Sequence, residues 1–188
     1  LGLAEKYDFL ICSDECYIDI YSSIKKPPKS LLNAGESLNL SSRTIVFHSL
    51  SKRSNLAGLR SGFVCAQEQI IEKVHLYRTY HGVTLPFPSQ AASAWAWKDQ
   101  THVEENRLSY DQKFNSALIG LKNFSDISRP QGAFYLWLET PIDDQVFTQQ
   151  LYENYGLIVL PGSYLGKKNP NKNPGTNFIR VAIVHDEK

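Results

Sequence analysis

Apolar and polar positions change their period several times along this chain, and each change marks an element. Residues 7–13 (YDFLICS) alternate loosely and are rich in Phe, Leu, Ile and Cys, which predicts a buried strand with Asp14 and Glu15 at its C-terminal end. A polar, proline-containing stretch over 22–42 predicts a loop, RTIVFHS (43–49) a second strand, and LRSGFVCA (59–66) a third. Only about ten residues join the second strand to the third, the short limit for a helical crossover, so an antiparallel and a parallel connection both remain open. In QEQIIEKVHLYRTY (67–80), Ile70, Ile71, Val74 and Tyr77 fall on one helical face.

A breaker-rich HGVTLPFPS (81–89) precedes a long helical region, with a stripe at Val103, Tyr110, Phe114, Leu118 and Leu121. Beyond SRPQG (128–132) the pattern becomes strand (133–139), helix (143–156) closed by Gly156, then two strands over 157–162 and 177–184. The turn-rich GKKNPNKNPGTN (166–177) predicts an exposed loop. The predicted fold class is α/β: part of a mixed-sheet large domain over 1–110, then a smaller α+β domain over 111–188, with the boundary inside the long helix near 108–122.

Composition narrows the function classes. The 188 residues are 42% hydrophobic and 21% charged with a formal net charge of +1, which argues against nucleic acid or an acidic membrane surface as a partner. No apolar run approaches the ~20 residues that span a bilayer. Three cysteines (Cys12, Cys16 and Cys65) in strand-like text predict reduced, buried thiols and a cytoplasmic setting, with no metal site. The chain has no methionine and opens in mid-element, as expected for a piece of a longer protein.

The stretch HSLSKRSNLAGLRSG (48–62) sets Lys52 among serines, with Arg60 eight residues on. Together with Asp14 and Tyr17, these are the groups that pyridoxal 5′-phosphate (PLP) requires. Its aldehyde needs a lysine amine, its ring nitrogen a carboxylate, its O3′ a donor, and its phosphate small hydroxyl residues with an arginine fork. Gly58 and Gly62 would let backbone come close in that loop. Free lysine is almost wholly protonated at pH 7, so burial and cationic neighbours are needed to make the amine useful. Taken singly, each residue has a plainer reading: Asp14 as a cap, Tyr17 as packing, Lys52 as a solvated side chain, Arg180 as a surface ion pair.

SDECYIDIY, HSLSKRSNLAGLRSGF, RPQGAFYLWL, LPGSYLG and FIRVAIVHDE, in that order, resemble the class I/II (fold type I) PLP-dependent aminotransferases. The wording around the lysine is most similar to the bacterial N-succinyldiaminopimelate aminotransferases of lysine biosynthesis, and this chain to their C-terminal half. The resemblance implies that Lys52 bonds the cofactor aldehyde and shuttles the substrate proton. It implies that Asp14 pairs with the pyridine nitrogen, Tyr17 meets O3′, Ser49, Ser51 and Arg60 bind phosphate, and Arg180 clamps the substrate α-carboxylate.

The implied function is amino transfer between an amino acid such as glutamate and a keto acid, by a cytoplasmic homodimer. A PLP-dependent C–S lyase or decarboxylase, or an effector domain of a transcription regulator, are the alternatives. The family pattern also places a Gly-containing phosphate turn and a ring-stacking aromatic upstream and a final helix downstream, so the isolated piece is expected to be inactive. Phe134 and Tyr135 fit either a pocket edge or the core, Pro161 and Gly162 either a substrate loop or a plain turn. Arg53 fits either a distal substrate carboxylate or solvent.

Overall fold

The computed structural model describes the chain except for residues 38, 39, 83, 125, 126, 168, 170, 171 and 186–188. Contacts divide it into two units, Leu1–Leu108 and Ser109–Lys188.

In the first unit the sheet has three strands, β1 (Ile11–Asp14), β2 (Thr44–Ser49) and β3 (Gly62–Cys65), in that spatial order. Thr44, Ile45 and Val46 are consecutive and all buried, so β2 is covered on both faces and takes the middle position. It pairs parallel to β1, with Asp14 opposite Phe47, and antiparallel to β3, with Ser49 opposite Gly62. The connection left open by the sequence is therefore antiparallel, and the short link needs no crossover. It holds one helical turn, α3 (Leu50–Arg53), and a 3₁₀ turn over Ala57–Leu59.

The first predicted strand is shorter than its pattern. A helix, α1 (Gly2–Tyr7), precedes it and ends at Asp8 in the left-handed region (φ 52°), and pairing starts only where β2 supplies a partner at Thr44. A second short helix, α2 (Leu31–Ser37), lies inside the predicted loop. Helix α4 (Glu68–His81) carries the expected face only in part, with Ile70, Ile71 and Val74 half-buried and Tyr77 exposed. The long helical region is two helices, α5 (Phe87–Lys98) and α6 (Thr101–Gly120). They separate because the Asp99 carboxylate accepts from the N–H groups of Thr101 and His102, capping α6.

The second unit packs part of α6 and helix α7 (Asp144–Tyr155) on a sheet of β4 (Tyr135–Glu139), β5 (Leu160–Pro161) and β6 (Phe178–Ala182), in the order β4-β6-β5, all antiparallel. Alternation sends Leu136, Leu138 and Ile179 inward onto Phe114, flanked by Phe147 and Leu151 of α7. Trp137, directly opposite Arg180, lies on the other face, where it stacks on Phe178. Asp143 caps α7 by accepting from Gln145 and Val146 N–H, and Gly156 ends it at φ +67°, where the sequence predicts the stop.

β5 spans two residues rather than six, because Pro161 has no N–H to continue a ladder and Leu157 and Ile158 face solvent. The 166–177 segment is not wholly exposed either. Gly175 is buried against Gly162, and a Cβ on Gly175 would lie 1.9 Å from the Gly162 carbonyl oxygen. Among the described residues, no helix is long and apolar enough to cross a membrane.

Candidate functional site

Ser49 ends β2 and begins α3. Its Oγ accepts from Ser51 N–H at 3.0 Å, lies 2.8 Å from Ser51 Oγ and donates toward Ser61 C=O at 3.3 Å. Leu50 is fully buried and pins the turn, so Lys52 is presented from a fixed base. Its Nζ lies 5.8 Å from the centre of the Tyr17 ring.

Arg60 sits in the left-handed region (φ 57°), donating to Ala57 C=O at 2.8 Å. Ser49, Ser51 and Arg60 line one cavity of about 430 Å³ at the end of β2, together with His48, Phe63 and Arg78. Among the described residues, no acidic side chain lines it. Gly62 is required there, since a Cβ would meet His48 C=O at 2.4 Å. Gly58 has open space around it, so the close approach expected of both glycines belongs to Gly62 alone.

Asp14 is the last residue of β1 and is exposed, accepting from Cys16 N–H at 3.2 Å. The Cys16 thiol is pushed up to about 11 by burial, then by the charge of Asp14 and a hydrogen bond to it, while Lys52 pulls the other way. Asp14 thus meets Cys16 at the end of β1, and Lys52 of α3 lies over the Tyr17 ring. None of the three cysteines is buried as expected: Cys12 is exposed, Cys16 and Cys65 are half-buried, and all three lie outside disulfides.

Glu15 turns the opposite way from Asp14. It is buried, its Oε1 accepts from Leu31 N–H at 2.7 Å, and its Oε2 is 3.7 Å from His48 Nε2. His48 and Arg78 went unassigned in the sequence because neither belongs to a local pattern; only the fold brings them to the Ser49 cavity.

The sequence signature described as aminotransferase class I and II matches residues 1–188, the whole chain. The chain belongs to the class I and II aminotransferase family. An aminotransferase structure from Neisseria meningitidis Z2491 superposes with a TM-score of 0.93 at 42% identity, covering 98% of this chain and 47% of that one. Among curated relatives, the 4-dedimethylamino-4-oxo-anhydrotetracycline transaminase of Streptomyces rimosus is 29% identical over 93% of this chain and 46% of its own length. The LL-diaminopimelate aminotransferase of Syntrophobacter fumaroxidans is 27% identical over 100% of this chain and 47% of its own length. The chain spans about half the length of the curated relatives it matches.

Class I and II aminotransferases are PLP-dependent, and the donor set here fits that group. A cavity with three serines, two arginines and no acidic side chain among the described residues suits a dianion, and the exposed Asp14 carboxylate and the Lys52 amine are the groups the ring nitrogen and the aldehyde require. Arg53 fits neither of its expected roles. It is buried, donating to Ala96 C=O at 2.9 Å and lying 3.3 Å from the Asp19 carboxylate.

In the second unit the Arg180 guanidinium carbon lies 4.4 Å from the centre of the Tyr135 ring, on the face of the sheet opposite the core. Phe134 is a core residue, stacked on Tyr110 at 5.4 Å. Pro161 and Gly162 are both buried.

Proposed function

We propose that the protein is a PLP-dependent aminotransferase that moves an amino group from a donor such as glutamate to a keto acid, acting as a cytoplasmic homodimer. The observation that carries this reading is that Ser49, Ser51 and Arg60, which flank Lys52 in the sequence, line one cavity with no acidic side chain among the described residues, while Lys52 Nζ lies 5.8 Å from the centre of the Tyr17 ring. When bound, PLP supplies an electron sink for the charge left on the substrate Cα. This chain's residues do the rest. Ser49, Ser51 and Arg60 would hold the phosphate, Asp14 would keep the ring nitrogen protonated, and Tyr17 would donate to O3′. Lys52 Nζ would hold the aldehyde and, once displaced from it by the substrate amine, would be free to take the substrate Cα proton. Arg180 grips the substrate α-carboxylate with its two-pronged guanidinium.

For the acceptor we infer N-succinyl-2-amino-6-oxopimelate, which would place the enzyme in lysine and diaminopimelate biosynthesis. The residues around Lys52 support it, as does the likeness to an LL-diaminopimelate aminotransferase. The test uses the full-length protein with glutamate and this keto acid, following the aminated product. Lys52→Ala lowers turnover by at least about a hundredfold, and Arg180→Gln raises KM for both substrates. Release of pyruvate or ammonia without aminated product would overturn the reading in favour of a lyase.

A further inference from the structure

A helix of one turn does not stand by itself, because nucleation fixes several residues for a single hydrogen bond. Helix α3 is such a turn, and it carries Lys52. Its N-terminal side is held by Ser49 and the buried Leu50. Its C-terminal side is held by contacts that the proposed chemistry does not use.

Ser54 caps α3, and its Oγ lies 2.8 Å from His102 Nε2. His102 Nδ1 in turn contacts the Asp99 carboxylate, which also caps α6. Arg53 NH1 donates to Ser54 Oγ at 3.3 Å and to Ala96 C=O at 2.9 Å near the end of α5, and its guanidinium lies 5.1 Å from the centre of the Trp97 ring. In the tautomer that donates from Nδ1 to Asp99 and accepts at Nε2 from Ser54, the hydrogen bonds run in one direction from Arg53 through Ser54 and His102 to Asp99. The His102 hydrogen bond lowers the Asp99 carboxyl to about 2, so its acceptor end stays charged at neutral pH.

We propose that Ser54 and His102 are positioning residues for Lys52: they clasp the single turn that carries it to the α5–α6 junction and so set where its amine points. The proposal rests on the PLP reading above. It assigns Arg53 and Asp99 to the anchoring side of the clasp rather than to substrate.

The experiment measures how fast the full-length apoprotein, mixed with PLP, develops visible absorbance that Lys52→Ala abolishes, alongside the melting temperature. Ser54→Ala and His102→Asn remove the Ser54–His102 link, and each slows capture by about tenfold or more. Ser54→Thr keeps the hydroxyl and His102→Gln keeps a group at the Nε2 position, so both recover most of the rate. Capture at the wild-type rate in Ser54→Ala and His102→Asn overturns the proposal. So does slowing of all four variants in proportion to lost melting temperature, which marks a general structural effect. A wild-type band that Lys52→Ala leaves unchanged sinks the cofactor reading itself, a result no Ser54 variant can imitate.

Discussion

Asp144 shows how the second unit holds the strand that bears Arg180. Its side chain is fully buried at the first turn of α7, accepting from Ser163 N–H at 2.9 Å and Asn177 N–H at 3.1 Å. Ser163 lies just after β5, and Asn177 immediately precedes β6. Burial by itself would push this carboxyl up. Hydrogen bonds from the Ser163 side chain and from the two backbone donors outweigh it, leaving the carboxyl below its ordinary range.

Asp144→Ala removes the acceptor from two part-buried N–H donors. Hydrogen bonds to a charged group are worth about 1.5–3 kcal/mol each, so the loss should be about 3–6 kcal/mol, or roughly two to four powers of ten in the local opening equilibrium. Amide hydrogen exchange at Ser163 and Asn177 reads this directly, and both should lose protection together. A folded-state carboxyl that is lowered stabilises fully above its unfolded value, about 3.9, and that stability disappears as pH falls through the folded value. Wild-type protection at both amides should therefore weaken below about pH 4, and Asp144→Ala should not show that step. Exchange in the variant within about twofold of wild type would refute the reasoning, since the Asp144 carboxylate could then not be what holds these two amides.

Two further outcomes bear on the first unit. At pH 8 a thiol held near 11 is ionised in only about one molecule in a thousand, so Cys16 should alkylate slowly. Asp14→Asn should speed that reaction and Lys52→Ala slow it further, as followed by mass spectrometry; indifference to both would separate the two residues from Cys16. Gly62→Ala presses a Cβ onto the His48 carbonyl at 2.4 Å, a backbone atom that cannot swing away. It should cost about 1–3 kcal/mol in thermal unfolding, and a change under about 0.5 kcal/mol would mean that β2 and β3 part without strain.

Much of the local structure can be read from residues within a turn of each other. Thr44 to Val46 announce a strand covered on both faces, and Gly156 announces the end of α7. The spacing of Ser49, Ser51, Lys52 and Arg60 makes a compact loop wherever the rest of the chain goes. Propensity, capping and left-handed turns act over a few residues, so a linear pattern carries them.

Other features were decided only by segments brought together from afar. Asp14 and Glu15 are neighbours with the same charge, yet Leu31 and His48 draw Glu15 inward and leave Asp14 facing out. Arg53 reads as a surface cation until Ala96 and Asp19 arrive to bury it. Gly58 and Gly62 look alike until only one of them faces a carbonyl. Pattern alone could not tell that β3 runs antiparallel, or that Ser54 would meet a histidine 48 residues away. A hydrogen bond or a buried ion pair needs both partners in place, and only the closed tertiary structure supplies the second one.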